Sequence, residues 1–302
     1  MAFNARSTAE QVTEGLDLSG KTYLVTGVNS GLGMETMRVL TMRGGHVIGA
    51  ARTMSKARDA CESIDGKTTP VACELSEMDS VAACAYKVRT LGIPIDALIC
   101  NAGIMALPEL TVKRGLEMQF LTNHMGHFLL TYLLQDELIK AEEGRIVILS
   151  SSAHWAARGK GIDFTNLDGS KGYDPFDFYC KSKLANLLTA RAFNNHLNES
   201  GVTANAVHPG VINTGLSRDV GGLLGAVFNN KMFAKVSSVF MKSIPQGAST
   251  QCYVATHPEV KGVGGLYFAD NKPAKMSAQA GNDDLGLKLW DYSLRYLHEY
   301  VE

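Results

Sequence analysis

Six cysteines (Cys61, Cys73, Cys84, Cys100, Cys180 and Cys252) are scattered through 302 residues without one C-x-x-C pair. That spacing argues against a zinc site or a disulfide framework and suits a reducing compartment. Long apolar runs are missing as well. Nothing approaches the run of about 18 uninterrupted apolar residues that marks a spanning helix. The N-terminal M-A-F-N-A-R-S-T-A-E-Q lacks the apolar core of a secretory leader. The cytoplasm is therefore the expected location. An excess of one charge is absent too: 29 basic and 30 acidic residues leave a formal net charge of −1. That balance gives no footing for a nucleic-acid partner. Repeats, low-complexity tracts and linker-like stretches do not occur.

What is present is ordinary globular composition, with 45% hydrophobic and 20% charged residues and ample material for a core. Short β-branched or apolar runs alternate with helical spacing. The expected strands are Thr22–Thr26, His46–Ala51, Thr69–Glu74, Asp96–Cys100, Arg145–Ser150, Thr203–His208 and Gly265–Ala269. The expected helices include Gly33–Arg43, Glu77–Arg89, Leu116–Leu134, Tyr179–Leu197 and Gly247–Thr256. This alternation predicts an α/β fold: a doubly wound parallel sheet of about seven strands with helices on both faces. T-Y-L-V-T and R-I-V-I-L are apolar throughout, as strands covered on both sides are. The layout predicts one dinucleotide-binding domain over residues 1–302. Two longer insertions, near 153–178 and 219–244, follow carboxyl ends of strands, where open α/β sheets bind ligands.

T-G-V-N-S-G-L-G (Thr26–Gly33) sits between the first strand and the first helix. Its glycines at 27, 31 and 33 permit a tight turn and close approach of a pyrophosphate to the helix N-terminus. Asn29, Ser30 and Leu32 share that turn. An isolated glycine-rich loop is as often a plain turn; the strand–turn–helix context favours the nucleotide. The second strand ends in G-A-A-R. Small Ala51 followed by Arg52, where an acidic residue usually holds a ribose 2′-OH, favours NADP(H) over NAD.

Y-C-K-S-K (Tyr179–Lys183) puts a phenol and an ammonium four residues apart, on one helix face. Reduction of a carbonyl needs a proton donor, and an unaided tyrosine titrates near 10. A neighbouring Lys183 is expected to lower that value. Such a pair is common by chance, and its weight comes from company. Arg145–Ser152 is an apolar strand ending in three serines at the carboxyl rim. Leu98–Gly103 ends another strand in Asn101, Ala102 and Gly103. Asn123 interrupts an apolar helix, where an amide is costly without partners. His124, His127 and His154 read as structural, because no third ligand completes a metal site. Cys180 reads as packing. Trp155, Phe164, Phe176 and Phe178 either line a hydrophobic pocket or pin the long loop. The 221–241 segment is a lid, a peripheral membrane contact or a packed helix.

Taken together, these motifs resemble the short-chain dehydrogenase/reductase family, in its retinol-dehydrogenase-like and WW-domain-oxidoreductase-like branch. The likeness runs from S-T-A-E-Q-V and L-D-L-S-G-K to S-A-Q-A and L-W-D-Y-S. The resemblance implies a catalytic tetrad of Asn123, Ser151, Tyr179 and Lys183, with Asn123 holding a water that links Lys183 to solvent. It implies adenine contacts at Glu74, where the family usually has Asp, and at Leu75. It also implies nicotinamide contacts at Pro209, Gly210, Val211 and Thr214. Homo-oligomers are implied, since the helices over Leu116–Leu134 and Tyr179–Leu197 often pair between subunits in the family. The resulting expectation is an NADP(H)-dependent oxidoreductase of a small lipophilic ketone, aldehyde or alcohol. The competing readings are a non-catalytic NADP(H)-binding sensor or scaffold and a reductase of carbon–carbon double bonds.

Overall fold

A computed structural model describes residues 3–212 and 241–301. Thr214 and nearly all of the 219–244 insertion, including the lid or membrane segment, lie outside the described residues.

The sheet strands are β1 (Thr22–Thr26), β2 (His46–Ala51), β3 (Thr68–Ala72), β4 (Ala97–Cys100), β5 (Arg145–Leu149), β6 (Thr203–His208), β7 (Tyr267–Ala269) and β8 (Lys272–Pro273). Their spatial order is β8-β7-β6-β5-β4-β1-β2-β3. Every neighbouring pair is parallel except β7–β8. Seven strands match the expected ones, with ends shifted by a few residues. The eighth is a two-residue antiparallel edge, too short for any sequence pattern to mark. β1 and β5 are buried at all positions, as strands between two helical layers must be. The order reverses between β1 and β4, and ligands bind at such a switch point.

Helices α1 (Gly31–Met42), α2 (Met54–Glu62), α3 (Met78–Arg89), α4 (Gly126–Leu133), α5 (Pro175–Leu197), α6 (Ile244–Thr256), α7 (Asp283–Tyr296) and α8 (His298–Val301) complete the fold. One core packs α3, α4 and α5 on the sheet, and the other packs α1, α2 and α6. The single helix expected over Leu116–Leu134 is not continuous. Leu116–Glu117 pairs with Val112–Lys113 as a hairpin, and a π-helical turn over Leu121–Met125 leads into α4. Arg114 and Gly115 both have positive φ, which makes the hairpin turn.

α7 forms an extra layer over α4 and α5. Trp290 packs edge-on against Phe128 and Phe193, with ring centres 5.0 and 4.9 Å apart. His124 Nε2 lies 3.2 Å from Ser293 Oγ, and Arg191 pairs with Asp283 at 2.8 Å. α7 thus packs on the two helices that the family resemblance gives as pairing between subunits. Of the loop aromatics, Phe178 is buried beside Tyr173, and Phe164 packs on Tyr292 of α7. These two pin the 153–178 loop. Trp155 remains 55% exposed.

Candidate active site

The glycine turn closes β1 onto α1 because its glycines lack side chains. Gly27 has φ +75°, and a Cβ there would press on Ala102 at 3.0 Å. A Cβ on Gly33 would collide with the Gly27 carbonyl and lie 2.6 Å from the Asn101 amide. Gly31, by contrast, faces open space. Ser30 caps α1 by backbone only, without a side-chain bond to the first turn. The first N–H groups of a 12-residue helix therefore stay available to an anion, at the positive end of its dipole. Asn29 and Ser30 are exposed and Leu32 is half-buried beside them.

Thr26 ties this turn to β4. Its hydroxyl accepts N–H bonds from Asn101 and Ala102, both at 3.0 Å, and lies 2.9 Å from His127 Nε2. Asn101 Nδ2 donates to the Thr26 carbonyl at 2.8 Å. The hydroxyl, already accepting twice, gives its proton to His127. His127 Nδ1 then donates to the Asn123 carbonyl at 3.0 Å. Burial pushes the His127 pKa down to about 4, so the ring is neutral, as this chain of bonds requires. His124 is buried likewise, with its pKa down to about 3, and bonds Thr189 and Ser293.

Asn123 sits within the π-helical turn, a form that gathers at functional sites. Its Nδ2 donates to the Ile104 carbonyl at 2.9 Å and to Ser182 Oγ at 3.0 Å. Its Oδ1 accepts the Ile104 N–H at 2.8 Å. The buried amide thus has its partners and holds the loop that follows Gly103. Both of its N–H groups are taken, so a water could meet the side chain only at Oδ1.

At the end of β5, Ser150 is buried and donates to the Lys183 carbonyl at 2.7 Å. Ser152 is exposed. Ser151 lies between them, half-buried, and its hydroxyl accepts the Ala153 N–H at 3.2 Å. Lys183 Nζ donates to the Leu149 carbonyl at 3.1 Å and stands 5.7 Å from the Tyr179 ring centre. A Cβ on Gly103 would lie 3.5 Å from Lys183 Nζ. The turn after β4 and the α5 pair therefore border one cleft. Burial pushes Lys183 down to about 8.

Tyr179 differs from expectation. Burial raises it to about 12, while hydrogen bonding with Ser151 pulls it down. Desolvation of the phenol outweighs the lowering contact, and that contact comes from Ser151 rather than from Lys183. Cys180 is fully buried in the core.

Arg52 and Glu74 form an ion pair, with Nε to Oε2 at 3.1 Å and the Arg52 side chain 63% exposed. Glu74 also accepts from Ser76. Leu75 is 4% exposed and packs against Gly126, so its side chain points into the core. Pro209 and Gly210 are half-buried and Val211 is exposed at the end of β6. The Lys242 stem lies over Gly210, and its Nζ meets Asp270 at 2.7 Å.

Thr26, His127 and Ser182 join this network but were not singled out as site residues in the sequence. Thr26 stands at the head of the glycine motif, so its position was a usable signal. The long-range partners of His127 and Ser182, Thr26 and Asn123, lie 101 and 59 residues away, too far for spacing to show them.

Residues 21–222 match the short chain dehydrogenase family model. The chain is 43% identical to short-chain dehydrogenase TIC 32 B, chloroplastic, of Brassica napus, over 97% of this chain and 93% of the relative. It is 37% identical to retinol dehydrogenase 13 of Homo sapiens, over 92% and 85% of the two chains. Among solved structures, an uncharacterised protein from Mycobacterium paratuberculosis superposes with a TM-score of 0.76 at 30% identity, covering 95% and 97%. No helix among the described residues is long and apolar enough to cross a membrane. With a sheet reversing at β1/β4 and a glycine turn opening α1, the chain belongs to the short-chain dehydrogenase family, in the branch that includes retinol dehydrogenases.

Proposed function

We propose that this protein is an NADP(H)-dependent oxidoreductase that interconverts a small lipophilic ketone or aldehyde with its alcohol. The observation that carries this reading is the meeting of Ser151, Tyr179 and Lys183 at the carboxyl rim of the sheet. The glycine turn with its uncapped helix start borders the same rim. Those free N–H groups suit a pyrophosphate, so the residues present fit a dinucleotide. NADPH, when bound, supplies the hydride.

The chain's own residues do the rest. Ser151 fixes the substrate oxygen and polarises it. Tyr179 gives that oxygen its proton during reduction and takes it back during oxidation. Lys183, anchored on the Leu149 carbonyl, keeps positive charge beside the phenol and favours its ionised form. Asn123 fixes the Ile104 loop and offers Oδ1 to a water that recharges Lys183. Gly27, Asn29, Ser30, Gly31, Leu32 and Gly33 line the pyrophosphate. Asn101, Ala102, Gly103, Pro209, Gly210 and Val211 flank the nicotinamide half. Glu74 and the Leu75 backbone border the adenine. Arg52, exposed beside Ala51, pairs with a 2′-phosphate. The name retinol dehydrogenase 13 and the exposed Trp155 at the rim support a lipophilic substrate.

The catalytic unit is one domain over residues 1–302. Its six free, buried cysteines suit a reducing compartment such as the cytoplasm. A homo-oligomer would pair away from α4 and α5, which α7 covers.

The test is a screen of carbonyls and alcohols with NADPH and NADH. Substrate-dependent oxidation of NADPH is expected. Tyr179→Phe should reduce turnover about 1,000-fold, taking general-acid catalysis at the middle of its usual range. Tight NADPH binding without turnover on any compound would sink the enzymatic reading.

A further inference from the structure

We propose that His154 is a positioning residue: it holds Ser151 in place and ties it to the C-terminal segment Ser277–Ala280. This inference rests on Ser151 acting as proposed above.

His154 is completely buried. Its Nδ1 lies 2.6 Å from the Ser151 carbonyl oxygen, which can only accept. The proton therefore sits on Nδ1. Its Nε2 receives the Ser277 N–H at 3.2 Å, so that nitrogen carries none. Both ring nitrogens are thus fixed by partners that cannot exchange roles, and the ring is neutral with one tautomer. Tyr267 of β7 packs edge-on against it, with centres 4.9 Å apart.

The Ser151 carbonyl also accepts the His154 N–H at 3.1 Å. Rotating the Ser151 peptide would therefore break two bonds at once. On the far side the anchor is itself closed into a turn. Ser277 Oγ accepts the Ala280 N–H at 3.2 Å, and the Ser277 carbonyl accepts the Gly281 N–H at 3.1 Å. Gln279 Nε2 reaches back to the Gly159 carbonyl at 3.0 Å. The chain beyond the sheet thus grips the serine through one imidazole. A hydroxyl that must meet a reacting oxygen gains from such support, because a misplacement of about 1 Å can cost about 100-fold in rate.

Two substitutions separate the halves of the clamp. In His154→Asn, the amide nitrogen occupies the Nδ1 position and keeps the bond to Ser151 while giving up Ser277. In His154→Gln, the longer side chain reaches Ser277 and gives up Ser151. With the carbonyl found in the screen, His154→Gln should lower kcat about 100-fold with the Kd of NADPH unchanged. His154→Asn should retain kcat within about fivefold, rescuing position rather than stability. Crystal structures of both variants should show the Ser151 hydroxyl displaced from the Tyr179 hydroxyl in His154→Gln and still beside it in His154→Asn.

Equal kcat in the two variants and the wild type, with only melting temperature lowered, would overturn the proposal. So would an undisturbed Ser151 in the His154→Gln structure. If the wild type reduces nothing, the function proposed above fails, and the two structures still decide the clamp. If His154→Gln does not fold, nitrogen NMR of wild-type His154 decides. A protonated Nδ1 is expected, and a proton on Nε2 would refute the arrangement.

Discussion

The two sides of the cleft are built by different means. The side formed by β1, α1 and the end of β4 relies on backbone and on missing side chains: Gly27, Gly33 and the Asn101–Gly103 turn approach within contact distance. The side formed by β5, α5 and the end of β6 relies on side chains from separate segments: Ser151, His154, Tyr179 and Lys183. The first suits a ligand present in every turnover, since backbone donors are rigid and general. The second carries what is particular to the reaction. Damage on the first side should cost folding and cofactor binding. Damage on the second should cost rate.

Gly33→Ala puts this contrast under the most strain. Its new methyl would strike the Gly27 carbonyl, which is backbone and cannot move aside. A loss of about 3 kcal/mol of stability is expected, the upper end for overpacking, together with NADPH binding weakened more than 100-fold, about 2.7 kcal/mol. Denaturant unfolding and fluorescence titration read the two quantities. Retention of both would mean that the turn yields.

Next in size is the pH dependence. Burial holds Lys183 near 8 rather than at the ordinary lysine value. Below that pH its ammonium is intact, and above it the charge is lost. Reductive kcat/KM, which reports the free enzyme, should be flat up to about pH 8 and then fall about tenfold per unit. Lys183→Arg, whose guanidinium keeps its charge, should remove this limb while lowering the plateau. A limb that persists in Lys183→Arg would assign it to another group.

Arg52→Ala is the mildest. The ion pair with Glu74 is largely exposed, so stability should change by less than about 1 kcal/mol. Preference for NADPH over NADH should drop about tenfold, as expected when one charge-assisted hydrogen bond is removed. An unchanged preference would remove Arg52 from the phosphate site and sharpen the search toward its neighbours.

The same division explains what could be read from the sequence. β1 and β5 stood out because both faces are buried, leaving uninterrupted apolar runs. Helical spacing places Tyr179 and Lys183 on one face, but they stood out only in company with the glycine turn and the serine-ended strand. α2 gives a weaker signal, because its M-S-K-A-R-D-A-C-E buries only three residues and reads as polar. Leu116–Leu134 read as one helix because apolar spacing does not distinguish a hairpin end, a π turn and an α-helix in succession. His154 could not be assigned a partner, since the Ser277 amide is 123 residues away. Nor did the sequences of α4 and α5 reveal that α7 would pack on them, because that contact depends on tertiary packing by Trp290.

The π-helical turn at Leu121–Met125 fixes the chain's tolerance of length changes. Deleting one residue there would restore ordinary winding and leave the downstream phase nearly unchanged, because a π turn takes up one extra residue as a local bulge. Gly126 would still abut the Leu75 carbonyl, and His127 would still face Thr26. What the shortening takes away is the local widening around Asn123, so its harm should concentrate on the Ile104 loop that this side chain holds.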